Sequence, residues 1–345
     1  MFEIQNTLSF NKEKLVEGVE YDYITRTSQN QGILRKTGFV NKENINSAGN
    51  WSLGLLQMDF FYRNKPWYAG QFIRKINPKI KLTPNLTLYL STLLNKQKQN
   101  LLSVLVRDVD SVFLNSKIQL PTRKGKIDFE FMESFIAELE AQRIAELEAF
   151  LLATGLKDYN LTKEEKQVLV DFENIEWQPY NLENLYGKST RGQRLKSTNR
   201  IKGNLPFVTA GEYNEGISAF IGNDVTIFPK NTTTIDMFGS AKFRNYKYGG
   251  DDHVAIVHTE NLPKLASVFV TTAIQKSSYT GKFSYSNNFY AKDADELNIS
   301  LPTLNKKPNY ELMETFITAI QKLVIKDVVM YADKKIETTK SVIQK

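Results

Sequence analysis

The sequence predicts an α+β chain built of two similar globular halves, each closed by a long amphipathic helix. Three observations carry this. First, NSKIQLPTRKGKIDFEFMESFIAELE at 115–140 recurs as ELNISLPTLNKKPNYELMETFITAIQ at 296–321, 181 residues later. Second, weaker matches continue upstream in collinear order. Thr25 and Asn30-Gln31-Gly32-Ile33 precede Thr209 and Asn214-Glu215-Gly216-Ile217 by 184 residues. Tyr62-Arg63-Asn64 precedes Phe243-Arg244-Asn245 by 181, and Tyr89-Leu90-Ser91-Thr92 precedes Phe269-Val270-Thr271-Thr272 by 180. A small drift in a collinear series means short loop insertions within an internal duplication. Third, each copy of the strongest repeat runs from an IxLPT strand pattern through a turn into a helical apolar period.

Composition sets the outer bounds. At 345 residues with 41% hydrophobic and 12% aromatic content, the chain is long enough for two ordinary domains with separate cores. It has no apolar run long enough to span a bilayer, and MFEIQNTLSFNKEK lacks the apolar segment of a signal peptide. Without cysteine there is neither a disulfide nor a thiolate metal site, and the expected location is cytoplasmic. A net charge of +7 is compatible with a polyanionic partner, and equally with a lysine-rich protein that has none.

In chain order, YDYIT at 21–25, LQMDFFY at 56–62 and QFIRKI at 71–76 read as strands. Pro84 suits the first turn of a helix over 84–97, whose apolar face is Leu86, Tyr89, Leu90, Leu93 and Leu94. The first long helix, 129–153, has an apolar stripe of Met132, Phe135, Ile136, Leu139, Ile144, Leu147 and Leu151, with an acidic opposite face. Gly155 is its expected C-cap, and Thr162 with Glu165 forms a capping box for a second helix over 161–172.

Next comes KSTRGQRLKSTNRIK, 188–202, with Lys188, Arg191, Arg194, Lys196, Arg200 and Lys202 and no acid. Cations on a Gly/Ser/Thr/Asn backbone suit phosphate contact, because they displace counterions and offer small polar donors. A solvated basic loop has the same composition. Residues 205–222 then read as strand, turn, strand, 231–257 as strands around glycine turns, and 262–276 as a helix. The last helix, about 308–340, has Leu312, Met313, Phe316, Ile317, Ile320, Leu323, Val324, Val328, Tyr331 and Ile336 in helical period. The two long helices are expected to bury their stripes on each other as an antiparallel pair.

Catalytic motifs are missing. Gly211 and Gly216 have the spacing of a phosphate loop, but Ile217 stands where lysine is required. The adenine-methyltransferase tetrapeptide and a glycine-rich cofactor loop do not occur. Asp251-Asp252-His253 with His258 is the one conceivable metal cluster, and adjacent strand residues would point to opposite faces. Local hydrogen bonds at a turn are the expected role of Asp252 and His253. The collinear pairs Arg63-Asn64 and Arg244-Asn245 suit either base and phosphate contact or internal salt bridges.

GNLPFVTAGEYNEGISAFIG, TTTIDMFGSAKFRNYKYGGDDHVAIV and ISLPT followed by a long helix resemble a target recognition domain of a specificity subunit from a type I restriction–modification system. FEFMESFIAELEAQRIAELEAFLLATGL resembles the central spacer helix of such subunits. The resemblance covers nearly the whole chain, most clearly 188–257 and 115–155. It implies a first recognition domain over 1–126, a central spacer helix over 127–157, a second domain over 158–305 and a C-terminal spacer helix over 306–345. It also implies a pseudo-two-fold relation between the domains, an antiparallel coiled coil of the two helices, and double-stranded DNA as ligand. Partners would be methyltransferase subunits, which bring S-adenosylmethionine, and a motor–nuclease subunit. This chain would be noncatalytic and bind no cofactor or metal.

The DNA-facing candidates are Arg35, Lys36, Arg63 and Lys65 in the first domain. In the second they are Lys188, Arg191, Arg194, Lys196, Arg200, Arg244 and Lys247, with Ser189, Thr190, Thr209, Tyr213 and Asn214 as polar supports. The chain is short for a type I subunit, so the related type IIB arrangement, in which methyltransferase and nuclease are fused, stays open. The rival readings are a stand-alone DNA enzyme and a duplicated protein-interaction scaffold.

Overall fold

The computed structural model describes residues 1–104 and 106–343, so the last two residues of the expected spacer 306–345 lie outside it. The chain divides into two compact units, Met1–Glu146 and Leu147–Lys345.

The first unit contains β1 (Phe2–Asn6), β2 (Tyr21–Ile24), β3 (Ile33–Thr37), β4 (Ile45–Asn46), β5 (Asn50–Gly54), β6 (Asp59–Arg63), β7 (Trp67–Ala69) and β8 (Ile73–Pro78). After these come α1 (Pro84–Lys96), α2 (Lys98–Leu102), α3 (Val109–Asn115), β9 (Thr122–Arg123), β10 (Lys126–Ile127) and α4 (Phe129–Ala153), which crosses the unit boundary. One antiparallel sheet has the order β1-β8-β5-β6. A mixed sheet has the order β3-β2-β7-β4, with β2 and β7 parallel. Leu86, Leu90 and Leu94 of α1 pack on Trp51, Leu53, Phe60 and Ile76 of the first sheet, and Met132 of α4 completes that core.

The second unit repeats this plan. It contains α5 (Lys163–Asp171), β11 (Trp177–Asn181), α6 (Leu182–Tyr186), β12 (Thr190–Arg191), β13 (Lys202–Val208), β14 (Ile217–Ile221), β15 (Ile227–Phe228), β16 (Thr232–Asp236), β17 (Ala241–Arg244), β18 (Tyr248–Gly250) and β19 (Val254–Val257). It closes with α7 (Lys264–Ser278), α8 (Ala291–Asp295), β20 (Asn298–Leu304), β21 (Lys307–Pro308) and α9 (Tyr310–Ile343). The two four-stranded sheets are β12-β19-β16-β17 and β14-β13-β18-β15, with β13 and β18 parallel, and a third sheet has the order β11-β20-β21. The core sets Ala266, Val270 and Ile274 of α7 against Ile235, Ala255 and Val257, with Met313 of α9 where Met132 stands in the first unit.

The duplication extends to single hydrogen bonds. Asp128 caps α4 by accepting from Phe131 N at 2.9 Å, and Asn309 caps α9 by accepting from Leu312 N at 3.1 Å. Before each cap the backbone folds back, Asp128 N to Pro121 O at 2.9 Å and Asn309 N to Pro302 O at 2.8 Å. The capping box of Thr162 and Glu165 forms at α5 as expected, and Gly155 takes φ +71° after α4.

Several expectations change. The strand at 56–62 begins only at Asp59, because Met58 takes φ +55° in a tight turn; likewise 71–76 begins at Ile73, after Phe72 at φ +62°. Only the second IxLPT copy is a full strand: β20 pairs with β11 from Asn298 to Pro302 and with β21 at Thr303 and Leu304, whereas 118–121 has no pairing strand among the described residues. The expected apolar stripes shift. Phe135 and Leu139 on α4, and Leu323, Val324, Val328 and Tyr331 on α9, are exposed. Within the second unit, Leu147 and Leu151 of α4, both in the expected stripe, meet α9 along Ile325, Val329 and Ala332, a line the expected α9 stripe did not contain. Both sides of these helices carry apolar residues, and the small Ala332 marks the line that admits close packing.

Candidate nucleic-acid interface

The cationic segment 188–202 is fastened along its length to the second unit's sheets. Thr190 and Arg191 pair with Ile256 and Ala255 as β12 on β19. Beyond them the backbone presses on β18: a Cβ on Gly192 would fall 1.7 Å from Gly250 O, so only glycine fits there. Gln193 N then donates to Gly250 O at 3.0 Å. The root is tied by Ser189 N to Asp295 Oδ1 at 2.7 Å, and by a relay from Thr190 Oγ1 to His258 Nε2 at 2.9 Å and from His258 Nδ1 to Glu260 Oε1 at 3.1 Å. At the far end Ile201 N donates to Asn223 Oδ1 at 2.8 Å, and Asn223 Nδ2 to Asn199 O at 3.0 Å. A backbone pinned at so many points holds its side chains out at little further entropic cost.

Lys188, Arg191, Arg194, Lys196 and Lys202 are exposed, as is Lys247 on the turn between β17 and β18, and none of them forms an ion pair among the described residues. Arg200 is half-buried. Its guanidinium lies 5.1 Å from the centre of the Phe207 ring and donates to Leu195 O at 3.3 Å and Ser218 Oγ at 3.2 Å. This arginine braces the segment against β13 and β14. Of the polar supports, Thr190 joins the relay and Thr209 stands where the turn after β13 begins; Tyr213 and Asn214 are exposed on that turn. In the first unit Arg35 and Lys36 are exposed on β3.

Arg63 and Arg244 are corrections. They are 4% and 1% exposed. Arg63 donates from Nε to Ser52 Oγ at 2.9 Å and from Nη2 to Gln31 O at 2.6 Å. Arg244 donates from Nε to Thr234 Oγ1 at 2.9 Å, from Nη1 to Tyr246 OH at 3.0 Å and from Nη2 to Glu215 O at 2.8 Å. Guanidinium groups enclosed in this way do not reach a phosphate. Burial pulls Arg63 down to about 10, partly offset by Asp22, so it remains a cation at neutral pH. Lys65 is half-buried, with Nζ 2.9 Å from Asp22 Oδ1. The repeat itself signalled this outcome, since a residue kept in both halves serves what the halves share.

Asp251, Asp252 and His253 lie in a turn, not on a strand, and their ligand atoms come within 4.8 Å of one another. The alternating strand faces expected from the sequence therefore do not separate these side chains. Among themselves Asp252 N donates to Asp251 Oδ1 at 3.0 Å, and His253 Nδ1 stands 3.0 Å from Asp252 Oδ1. No described helix is long and apolar enough to cross a membrane.

A family model described as "Type I restriction modification DNA specificity domain" matches residues 1–149 and 174–329. The chain is 24% identical over 272 residues to the type II restriction enzyme BgcI specificity subunit S.BcgI of Heyndrickxia coagulans, covering 77% of this chain and 75% of the relative. Its fold is similar to the crystal structure of the type I restriction–modification system S subunit from M. genitalium, with a TM-score of 0.60 at 14% identity over 99% of this chain and 91% of that one. Two matches to one domain model, laid over two units with the same strand order and the same helix caps, make this chain a member of the restriction–modification DNA specificity subunit family.

Proposed function

We propose that this chain is the noncatalytic DNA-reading subunit of a restriction–modification complex, each unit reading one half of a bipartite site. The observation that carries the proposal is the pinned, acid-free cationic segment 188–202 with its exposed Lys188, Arg191, Arg194 and Lys196. Phosphate contacts would supply most of the affinity and a few side chains per domain the sequence choice. Lys247 extends the second domain's basic surface, and Arg35 and Lys36 serve the first. On this reading α4 and α9 pair in antiparallel fashion, set the gap between half-sites and dock methyltransferase subunits, which bring S-adenosylmethionine. At 1.5 Å per residue the 25 residues of α4 reach about 38 Å, on the order of one turn of duplex. The packing of Leu147 and Leu151 on α9 supports such pairing.

A second reading concerns the context. The likeness to a specificity subunit of a type II restriction enzyme supports keeping the type IIB arrangement, with methyltransferase and nuclease fused, beside the type I arrangement with its separate motor–nuclease subunit, which the family description supports.

The test is methylation mapping. The chain is expressed with its neighbouring methyltransferase subunit in a host lacking such marks, and modified adenines are read genome-wide. The expected result is a bipartite motif with a fixed gap that disappears when this chain is omitted. Methylation that persists without the chain would favour the protein-interaction scaffold instead.

A further inference from the structure

The two halves share one strained turn, and the residue that stands at its mouth is the place where they differ. After β2 the chain passes through Asn30 (φ 45°, ψ 42°) and Gln31 (φ 53°, ψ 33°); after β13 it passes through Asn214 (φ 48°, ψ 40°) and Glu215 (φ 54°, ψ 25°). Two consecutive left-handed residues other than glycine cost roughly 1–2 kcal/mol each. Gly32 and Gly216 follow at φ +78° and +79°. Thr25 N donates to Gly32 O and Thr209 N to Gly216 O, both at 2.8 Å. Asn30 Nδ2 and Asn214 Nδ2 reach Ile33 O and Ile217 O at 3.1 and 3.3 Å. The buried Arg63 and Arg244 clamp the carbonyls of Gln31 and Glu215 from beneath. A costly geometry held twice by the same buried cation is a frame, not an accident of loop packing.

The residues entering the frame have diverged: Ser28-Gln29 in the first unit, Glu212-Tyr213 in the second. Tyr213 is 94% exposed, the most exposed large apolar side chain described, and Gln29 is exposed as well. Neither side chain makes a hydrogen bond among the described residues. The turn also lies beside the cationic segment. Gln193 N is bonded to Gly250 O, and the next residue, Asp251, donates from its N to Val208 O at 2.9 Å, one position before Thr209. In the first unit the strand leaving the turn, β3, carries Arg35 and Lys36.

Resting on the proposed reading of DNA, we propose that Gln29 and Tyr213 are specificity-determining residues, each reading bases in its own half-site from the rigid turn. A bipartite site with two unlike halves calls for one frame and two readers. Glutamine suits a paired hydrogen bond to adenine N6 and N7 in the major groove. Tyrosine offers a flat apolar face to a thymine methyl or a base plane, and a hydroxyl to a base edge. A rigid turn presents either without a large ordering cost on binding.

The experiment maps methylated adenines for the complex carrying wild type, Gln29→Ala or Tyr213→Ala, with thermal unfolding as a folding control. Tyr213→Ala is expected to relax the preference by about tenfold or more at one or two positions of one half-site, leaving the other half and the gap unchanged. Gln29→Ala is expected to do the same in the other half. A normal wild-type motif that both variants keep intact overturns this inference and leaves the DNA-reading proposal standing. So does a variant that weakens both halves evenly. A wild-type complex that yields no bipartite motif overturns the parent proposal, and this inference with it.

Discussion

Arg63 and Arg244 are enclosed where solvent barely reaches, and each donates to a carbonyl of a left-handed turn and to a hydroxyl of a neighbouring strand. Arg244→Met should therefore destabilise the chain by about 2 kcal/mol or more, since it leaves Glu215 O and Thr234 Oγ1 without their donor. Urea unfolding measures this. Arg191→Ala is expected to behave oppositely. Its side chain is exposed, so stability should stay within about 0.5 kcal/mol of wild type. The slope of log affinity for DNA against log salt should fall by about one, read by binding titrations of the complex at several salt concentrations. An Arg191 variant whose salt slope does not change would remove that residue from the phosphate-contacting set.

At the scale of elements, the two helix starts do equal work. Met132 and Met313 are fully buried, each inserted from a capped helix into the core beneath α1 or α7. Met132→Ala and Met313→Ala should each cost about 2–5 kcal/mol, visible as a lowered urea midpoint. The helices themselves were legible: α1, α4, α5 and α9 follow from apolar period and caps, because helical hydrogen bonding is local. Which apolar line on α9 is covered was not legible. Val324 and Val329 are both helical and apolar, yet Val324 is 73% exposed and Val329 1%. The choice belongs to what Leu147, Leu151 and Ala332 leave room for. The strand at 298–304 forms because β11 lies alongside it, which an identical IxLPT pattern at 118–122 could not announce.

For the molecule as a whole, the duplicated plan makes a prediction about length. On the proposed reading, inserting helical residues into α4 between 138 and 146 should change the gap in the methylated motif and keep both half-sites. Methylation mapping reads this directly, and an unchanged gap would show that α4 does not set the spacing. The acid-free run 188–202 stood out in sequence because charge composition is visible there. Its fastening by Gly192, His258 and Asn223 was not, because those contacts join residues far apart in the chain.

The sequence by itself determined that the chain is a tandem of one α+β plan, where its long helices run and where its cations cluster. Repeats, helical period and composition are properties of residues near one another in the chain, and they survive translation into structure. Only the tertiary structure decided which cations are available. Arg63 and Arg194 look alike as letters, yet one is enclosed by Ser52 and Gln31 and the other stands in solvent. Burial is set by which distant segments converge on a residue, and that convergence is written in no single stretch of the chain.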